Sequence, residues 1–139
     1  MDAPRWHLRF ENYRGALALL TDAVERLERG ELSQLEREGT IQRFEYTWEL
    51  AWKTLRDYLA ECGNAVEVPV AKNVIRAAFQ ANLIDDGDAW VDAMRARNQM
   101  SHEYNCEVFE KIVIAIKDIY YPLLVSLSIK LSAEYAAGN

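Results

Sequence analysis

The feature that most constrains the fold is a helical repeat of apolar residues through almost the whole chain. In residues 5–29, 33–62 and 105–136, apolar side chains recur every three or four positions, which places them on one face of a helix. No stretch of useful length alternates between apolar and polar residues, as a half-buried strand would. The sequence therefore predicts an all-α protein.

A few helix-breaking residues divide this pattern into five predicted helices. Gly30, Gly63 and the run at 85–87 are typical of turns and helix ends, whereas Pro69 favours the first turn of a helix. Helices are expected over residues 5–29, 33–62, 69–83, 86–100 and 105–136.

Capping residues support two of these helix starts. Ser33 and Glu36 have the spacing of a capping box, and Asn105 is a favoured N-cap. Pro122 lies inside the last predicted helix and should kink it near Asp118.

Long helices joined by short connections pack as antiparallel neighbours. The expected architecture is an up-down four-helix bundle with an additional short helix, forming a single domain over residues 1–139. The second and fifth helices carry more apolar surface than one narrow stripe, which favours an oligomer.

The formal net charge of −6 gives no overall basic surface for nucleic acid, although a local basic groove could still take a phosphate. An acidic protein suits a basic partner subunit. The two cysteines have no metal spacing and no signal peptide is visible, so we expect reduced thiols and a cytoplasmic location. No unbroken apolar run reaches the ~20 residues of a membrane span, so no membrane association is expected.

An eight-residue polar stretch, Arg-Asn-Gln-Met-Ser-His-Glu-Tyr, begins at Arg97 between two apolar segments. If the helix continues through it, Arg97 lies over Ser101, four positions later. Asn98 then lies over His102 in the same way. If the helix ends here instead, Arg97 and His102 flank its end, with Tyr104 beside them.

Either geometry gathers a permanent cation, a group that titrates near neutrality and a phenol. Arginine can bind phosphate bidentately, and histidine can move the proton of an attacking 2′-hydroxyl without a metal. The structural alternative is that Arg97 and His102 satisfy carbonyls at a helix end. A carboxylate-bridged di-metal site needs Glu-x-x-His pairs, but Gln99 stands three positions before His102, so we expect neither metal nor cofactor.

A second polar group lies on the second predicted helix. Glu45 and Glu49 are four positions apart, and Glu49 precedes Lys53 by four. They form either a solvated ladder with one ion pair or an acidic border to the groove that contains His102.

Two further pairs of residues can be interpreted either as structural or as functional. Lys72 and Arg76 could contact phosphate or form an ordinary exposed basic face. Trp48 and Trp52 are more often core or interface residues than platforms for nucleotide bases.

Three segments, residues 41–59, 77–104 and 119–124, resemble the nucleotidyltransferase substrate-binding protein family, a branch of the HEPN superfamily that includes the HepT toxins. The specific parts are an Arg-Asn-x-x-x-His-x-Tyr element and a Phe-Glu-Tyr-x-x-Glu-Leu-Ala-Trp-Lys block. In this chain they are Arg97, Asn98, His102 and Tyr104, and residues 44–53.

The resemblance implies a HEPN-like bundle that forms a homodimer, with the Arg/His element in a cleft between the subunits. It implies a minimal nucleotidyltransferase as partner and, in HepT-type members, a metal-independent ribonuclease site. Arg97 and His102 would then be catalytic, Asn98 would orient them, and Tyr104 would receive AMP from the partner, which acts as antitoxin. Ser101, Glu45, Glu49 and Lys72 are supporting candidates for holding RNA or a nucleotide.

One departure concerns the start of the third helix. Relatives often have Ser/Thr-Pro-Arg there, whereas this chain has Val68-Pro69-Val70, and its nearest cation is Lys72. Two alternatives to a ribonuclease stay open: a non-catalytic nucleotide- or acceptor-binding subunit of a two-component nucleotidyltransferase, and a structural dimer.

Overall fold

The structure is a computed structural model that describes residues 3–100 and 105–138. Within these ranges the regular structure is entirely helical, and the predicted all-α bundle with a short extra helix is confirmed. The helices are α1 (Arg5–Glu28), α2 (Gln34–Glu61), α3 (Ala71–Gln80), α4 (Gly87–Met100), α5 (Cys106–Ala115) and α6 (Tyr121–Ala136).

Helices α1 and α2 form a long antiparallel hairpin. Gly30 has a positive φ of 70° at the turn, and the Ser33–Glu36 capping box then starts α2 as predicted. The direction follows from cross-helix contacts, because Arg9 near the start of α1 meets Asp57 near the end of α2. Gly63, with φ 81°, follows the end of α2.

Helix α3 is shorter than predicted at both ends. The N–H of Val70 donates to the carbonyl of Val68 at 2.9 Å, so Pro69 is the centre of a tight turn instead of the first helical residue. Asn82 has a positive φ of 61°, which ends the helical path before Leu83. Helix α3 packs against α2 and α4.

Helices α5 and α6 are joined without a break by a π-helical segment, Ile116–Tyr120. Asn105 caps the start of α5 as predicted, because its side chain accepts from the N–H of Glu107 at 2.8 Å. The predicted disturbance near Asp118 takes the form of this wide turn, just before Pro122, which has no N–H to donate.

The core lies between all of these helices. Its largest fully buried side chains come from every helix from α1 to α4 and from the α5–α6 helix, and they include Trp6, Phe44, Ile75, Trp90 and Ile116. Tyr120 fastens the last helix to α4 by donating to Asp92 at 2.7 Å. Burial of these rings and aliphatic chains supplies the main favourable contribution to folding.

Among the described residues, one helical stretch, Cys106–Ala136, is long and apolar enough to cross a membrane by length and composition alone. This stretch was not expected from the sequence, because isolated charged residues interrupt its apolar runs although its mean hydropathy is high. A third of its most apolar part is buried inside the bundle.

Candidate functional site

Arg97 lies in an open groove bordered by α1, α2 and α4. The groove has a volume of about 680 Å³, which is within the range of small-molecule sites. Helix α2 supplies most of its lining, and α1 supplies an apolar wall. The lining residues are Ala16, Leu19, Gly39, Gln42, Arg43, Glu45, Tyr46, Glu49 and Arg97.

Glu49 connects the polar stretch that begins at Arg97 with the polar group on α2. Its carboxylate lies 3.4 Å from Nη2 of Arg97 on α4 and 3.4 Å from Nζ of Lys53 one turn along α2. The predicted pair between Glu49 and Lys53 is therefore present. Because the side chains of Glu49 and Arg97 are 29% and 34% exposed, water and ligands can reach both groups.

Glu45 differs from Glu49 in its surroundings. It is half-buried, and burial raises the pKa of its carboxyl, an effect that the positive charge of Arg97 partly opposes. Glu45 also lines a second groove of about 600 Å³, together with Met100 and Phe109. Glu45 therefore borders both grooves.

The structure thus brings Arg97, Glu45 and Glu49 together. It places Asn98 exposed on α4, and it places Lys72 in a different groove, with Arg76 and three aspartates. The other predicted site residues, Ser101, His102 and Tyr104, lie outside the described residues.

Trp48 and Trp52 are buried in the core, in agreement with the structural reading of these residues. The sequence analysis missed Gln42, Arg43 and Tyr46 as groove residues. A signal existed for Gln42 and Tyr46, because both continue the face of α2 that carries Glu45 and Glu49 at helical spacing, whereas Arg43 lies on the adjoining face.

Arginine with two carboxylates can hold an anion at the guanidinium and accept hydrogen bonds from hydroxyl or amino groups nearby. Among the described residues, no group of three or more His, Cys, Asp or Glu side chains is placed to hold a metal ion.

Comparison with known proteins shows the family to which the chain belongs. Residues 8–133 match the family described as nucleotidyltransferase substrate binding protein like, and the chain belongs to that family. The predicted resemblance is therefore confirmed.

Two relatives are similar to the chain. A Haemophilus influenzae protein named "Probable ribonuclease HepT" is 31% identical over 83 residues, which are 58% of this chain and 57% of that protein. The crystal structure of a protein from Thermus thermophilus superposes with a TM-score of 0.71 at 32% identity, covering 83% of this chain and 94% of the other.

Proposed function

We propose that the protein is a HepT-like partner subunit of a minimal nucleotidyltransferase and acts as a metal-independent endoribonuclease toxin. The observation that carries the proposal is the contact between Arg97 and Glu49 in an open groove, because it joins the two sequence elements that define the resemblance. The name of the Haemophilus influenzae relative supports the same activity.

In the proposed reaction, Arg97 binds the scissile phosphate and stabilises the charge that develops at phosphorus. The 2′-hydroxyl of the RNA attacks that phosphorus, and His102 moves the proton. The bond from phosphorus to the 5′-oxygen breaks, and the leaving oxygen takes up a proton. A cyclic 2′,3′-phosphate and a 5′-hydroxyl result, and Asn98 orients the reacting groups.

Glu49 keeps Arg97 at the groove until substrate arrives. A partly exposed pair separated by 3.4 Å contributes little net free energy, so a phosphate can take the place of the carboxylate at low cost. Lys53 remains as a partner for the displaced carboxylate of Glu49.

Control would come from the partner enzyme, the proposed antitoxin. The Tyr104 oxygen attacks the α-phosphorus of ATP, pyrophosphate leaves, and AMP stays on the tyrosine. The added charge and bulk, two residues from His102, would repel and block the substrate phosphate. The functional unit would be a cytoplasmic homodimer with the RNA cleft between subunits.

RNA cleavage in the presence of a chelator tests the ribonuclease. The wild type should cleave, and His102→Ala should reduce the rate by roughly 10²–10⁴-fold, the usual contribution of a general acid or base. His7→Gln is the matched control, since the chain has only two histidines and His7 packs against Tyr135 away from the groove. No cleavage by the wild type, or equal cleavage by His102→Ala, contradicts the proposal.

Mass measurement after incubation with the neighbouring nucleotidyltransferase and ATP tests the control step. One added AMP is expected on the wild type and none on Tyr104→Phe. Modification at another residue, or at none, rules out Tyr104 as the switch.

A second candidate is a non-catalytic subunit that holds a nucleotide or acceptor for its partner. The family description and the net charge of −6 favour it. Binding of a nucleotide that depends on Arg97, in a wild type that cleaves no RNA, would select this function.

A further inference from the structure

We propose that the groove beside Arg97 contains a nucleotide subsite for single-stranded RNA, in which the exposed ring of Tyr46 stacks on one base and Arg43 binds the phosphate next to it. The proposal rests on the proposed function in one respect: the scissile phosphate lies at Arg97.

The exposed ring of Tyr46 indicates that the groove can bind a nucleotide base. Its side chain lines the groove and is 64% exposed, whereas Phe44, Trp48 and Trp52 of the same helix are buried. Leu19, 57% exposed, adds an apolar wall from α1. An unstacked base can lie on such a platform, and each stacked base contributes about 1–3 kcal/mol to binding of single-stranded nucleic acid.

Two arginines line the same groove as this ring. Arg43 lies one helical turn before Tyr46 on α2, and Arg97 reaches the groove from α4. Arg43 donates to the carbonyl of Leu19 at 2.7 Å and lies 3.6 Å from Asp22. Because a guanidinium has five N–H donors, these contacts leave it able to bind a phosphate as well. A nucleotide on Tyr46 would therefore have a cation for the phosphate on each side of it.

The remaining lining residues match the other groups of a ribonucleotide. Glu45 and Glu49 can accept hydrogen bonds from ribose hydroxyls and from the amino groups of bases, and Gln42 can donate or accept. Burial raises the pKa of Glu45, which reduces the free energy needed to protonate it beside a phosphate. The groove thus offers a partner for each part of the ligand: ring, phosphate and sugar.

Binding of a fluorescein-labelled single-stranded RNA in chelator tests the subsite, with every protein carrying His102→Ala so that the RNA keeps its 2′-hydroxyls and is not cleaved. Tyr46→Ala should raise Kd by roughly five- to 150-fold, the equivalent of one lost stacking contact. Tyr46→Phe keeps the ring and should bind like the protein that carries His102→Ala alone. Phe79→Ala removes a ring that is 50% exposed on α3, outside this groove, and should leave Kd unchanged.

An unchanged Kd for Tyr46→Ala overturns the subsite, even if the wild type cleaves RNA through Arg97 and His102. A raised Kd accompanied by a change in subunit number, measured by light scattering, also overturns it, because Tyr46 would then act between copies of the chain. A raised Kd at constant subunit number supports the subsite even if no cleavage is found, in which case only the ribonuclease proposal fails.

Discussion

Helix α2 carries two clusters of arginine and carboxylate with opposite accessibility. Near the end of the helix, Asp57 accepts from Nε of Arg9 at 2.9 Å and from Nε of Arg56 at 3.0 Å, and its side chain is only 7% exposed. Near the middle, Glu49 meets Arg97 at 3.4 Å, and its side chain is 29% exposed.

Both clusters are ion pairs between arginine and carboxylate, but one joins two helices and the other can bind a ligand. The Asp57 carboxylate is held by two short charge-assisted bonds and joins α1 to α2, so its exchange for a ligand would leave buried charge uncompensated. The Glu49 pair is longer and opens on a groove, so it can be exchanged. Accessibility, more than residue type, distinguishes a structural cluster from a candidate site.

The largest expected effect is on cleavage. Arg97→Ala should lower the rate of RNA cleavage by roughly 10²–10³-fold, because the developing charge at phosphorus loses its stabilising donor. Arg9→Ala should leave the rate per folded molecule unchanged, although it removes an arginine bonded to α2. Initial rates on the same RNA give both values. An equal loss of rate in the two variants would show that the two clusters do not differ in function.

The next largest effect is on the free energy of unfolding, where the Asp57 cluster should matter more than the Glu49 pair. Asp57→Ala should lower the free energy of unfolding by about 3 kcal/mol, the lower end for a broken buried pair, because both arginines reach water. Glu49→Ala should lower it by less than ~1 kcal/mol. Urea unfolding curves give both values, and a loss at Glu49 as large as that at Asp57 would show that the groove pair is structural.

The smallest effect is the pH dependence at Glu45. Its raised pKa means that the folded protein binds this proton more tightly than the unfolded chain. The resulting destabilisation is absent below the unfolded pKa and grows as pH rises through the folded pKa. Glu45→Gln should therefore be slightly more stable than the wild type at pH 7 and indistinguishable at low pH. A stabilisation larger at low pH than at neutral pH would contradict this sign.

Much of the fold could be predicted because local chemistry decides it. The Ser33 capping box and the Asn105 cap bond to backbone within three residues, and both occur as expected. The start of α3 could not be predicted from Pro69, because the turn there depends on Val68 and on Asn73, which donates to the Val68 carbonyl at 3.0 Å.

The contacts within the candidate site could not be predicted from the sequence. Spacing placed Glu45 and Glu49 on one face of α2, yet their approach to Arg97 depends on where α4 lies relative to α2 in the folded chain. Lys72 lies on α3 and lines a separate groove, which its sequence context did not indicate. Tyr46 shares the face of Glu45 and Glu49, but the groove that it lines exists only once α1 supplies the apolar wall, and Arg43 joins that groove from the adjoining face of α2.

The most direct test of the central claim follows the arginine side chains by NMR during titration with an uncleavable single-stranded RNA. The Nε–Hε signal of Arg97 should shift with saturation, since phosphate replaces Glu49, while the signals of Arg9 and Arg56 should stay fixed on Asp57. Shifts confined to Arg9 and Arg56, or an Arg97 signal that does not move at saturating RNA, would show that this groove is not the phosphate site.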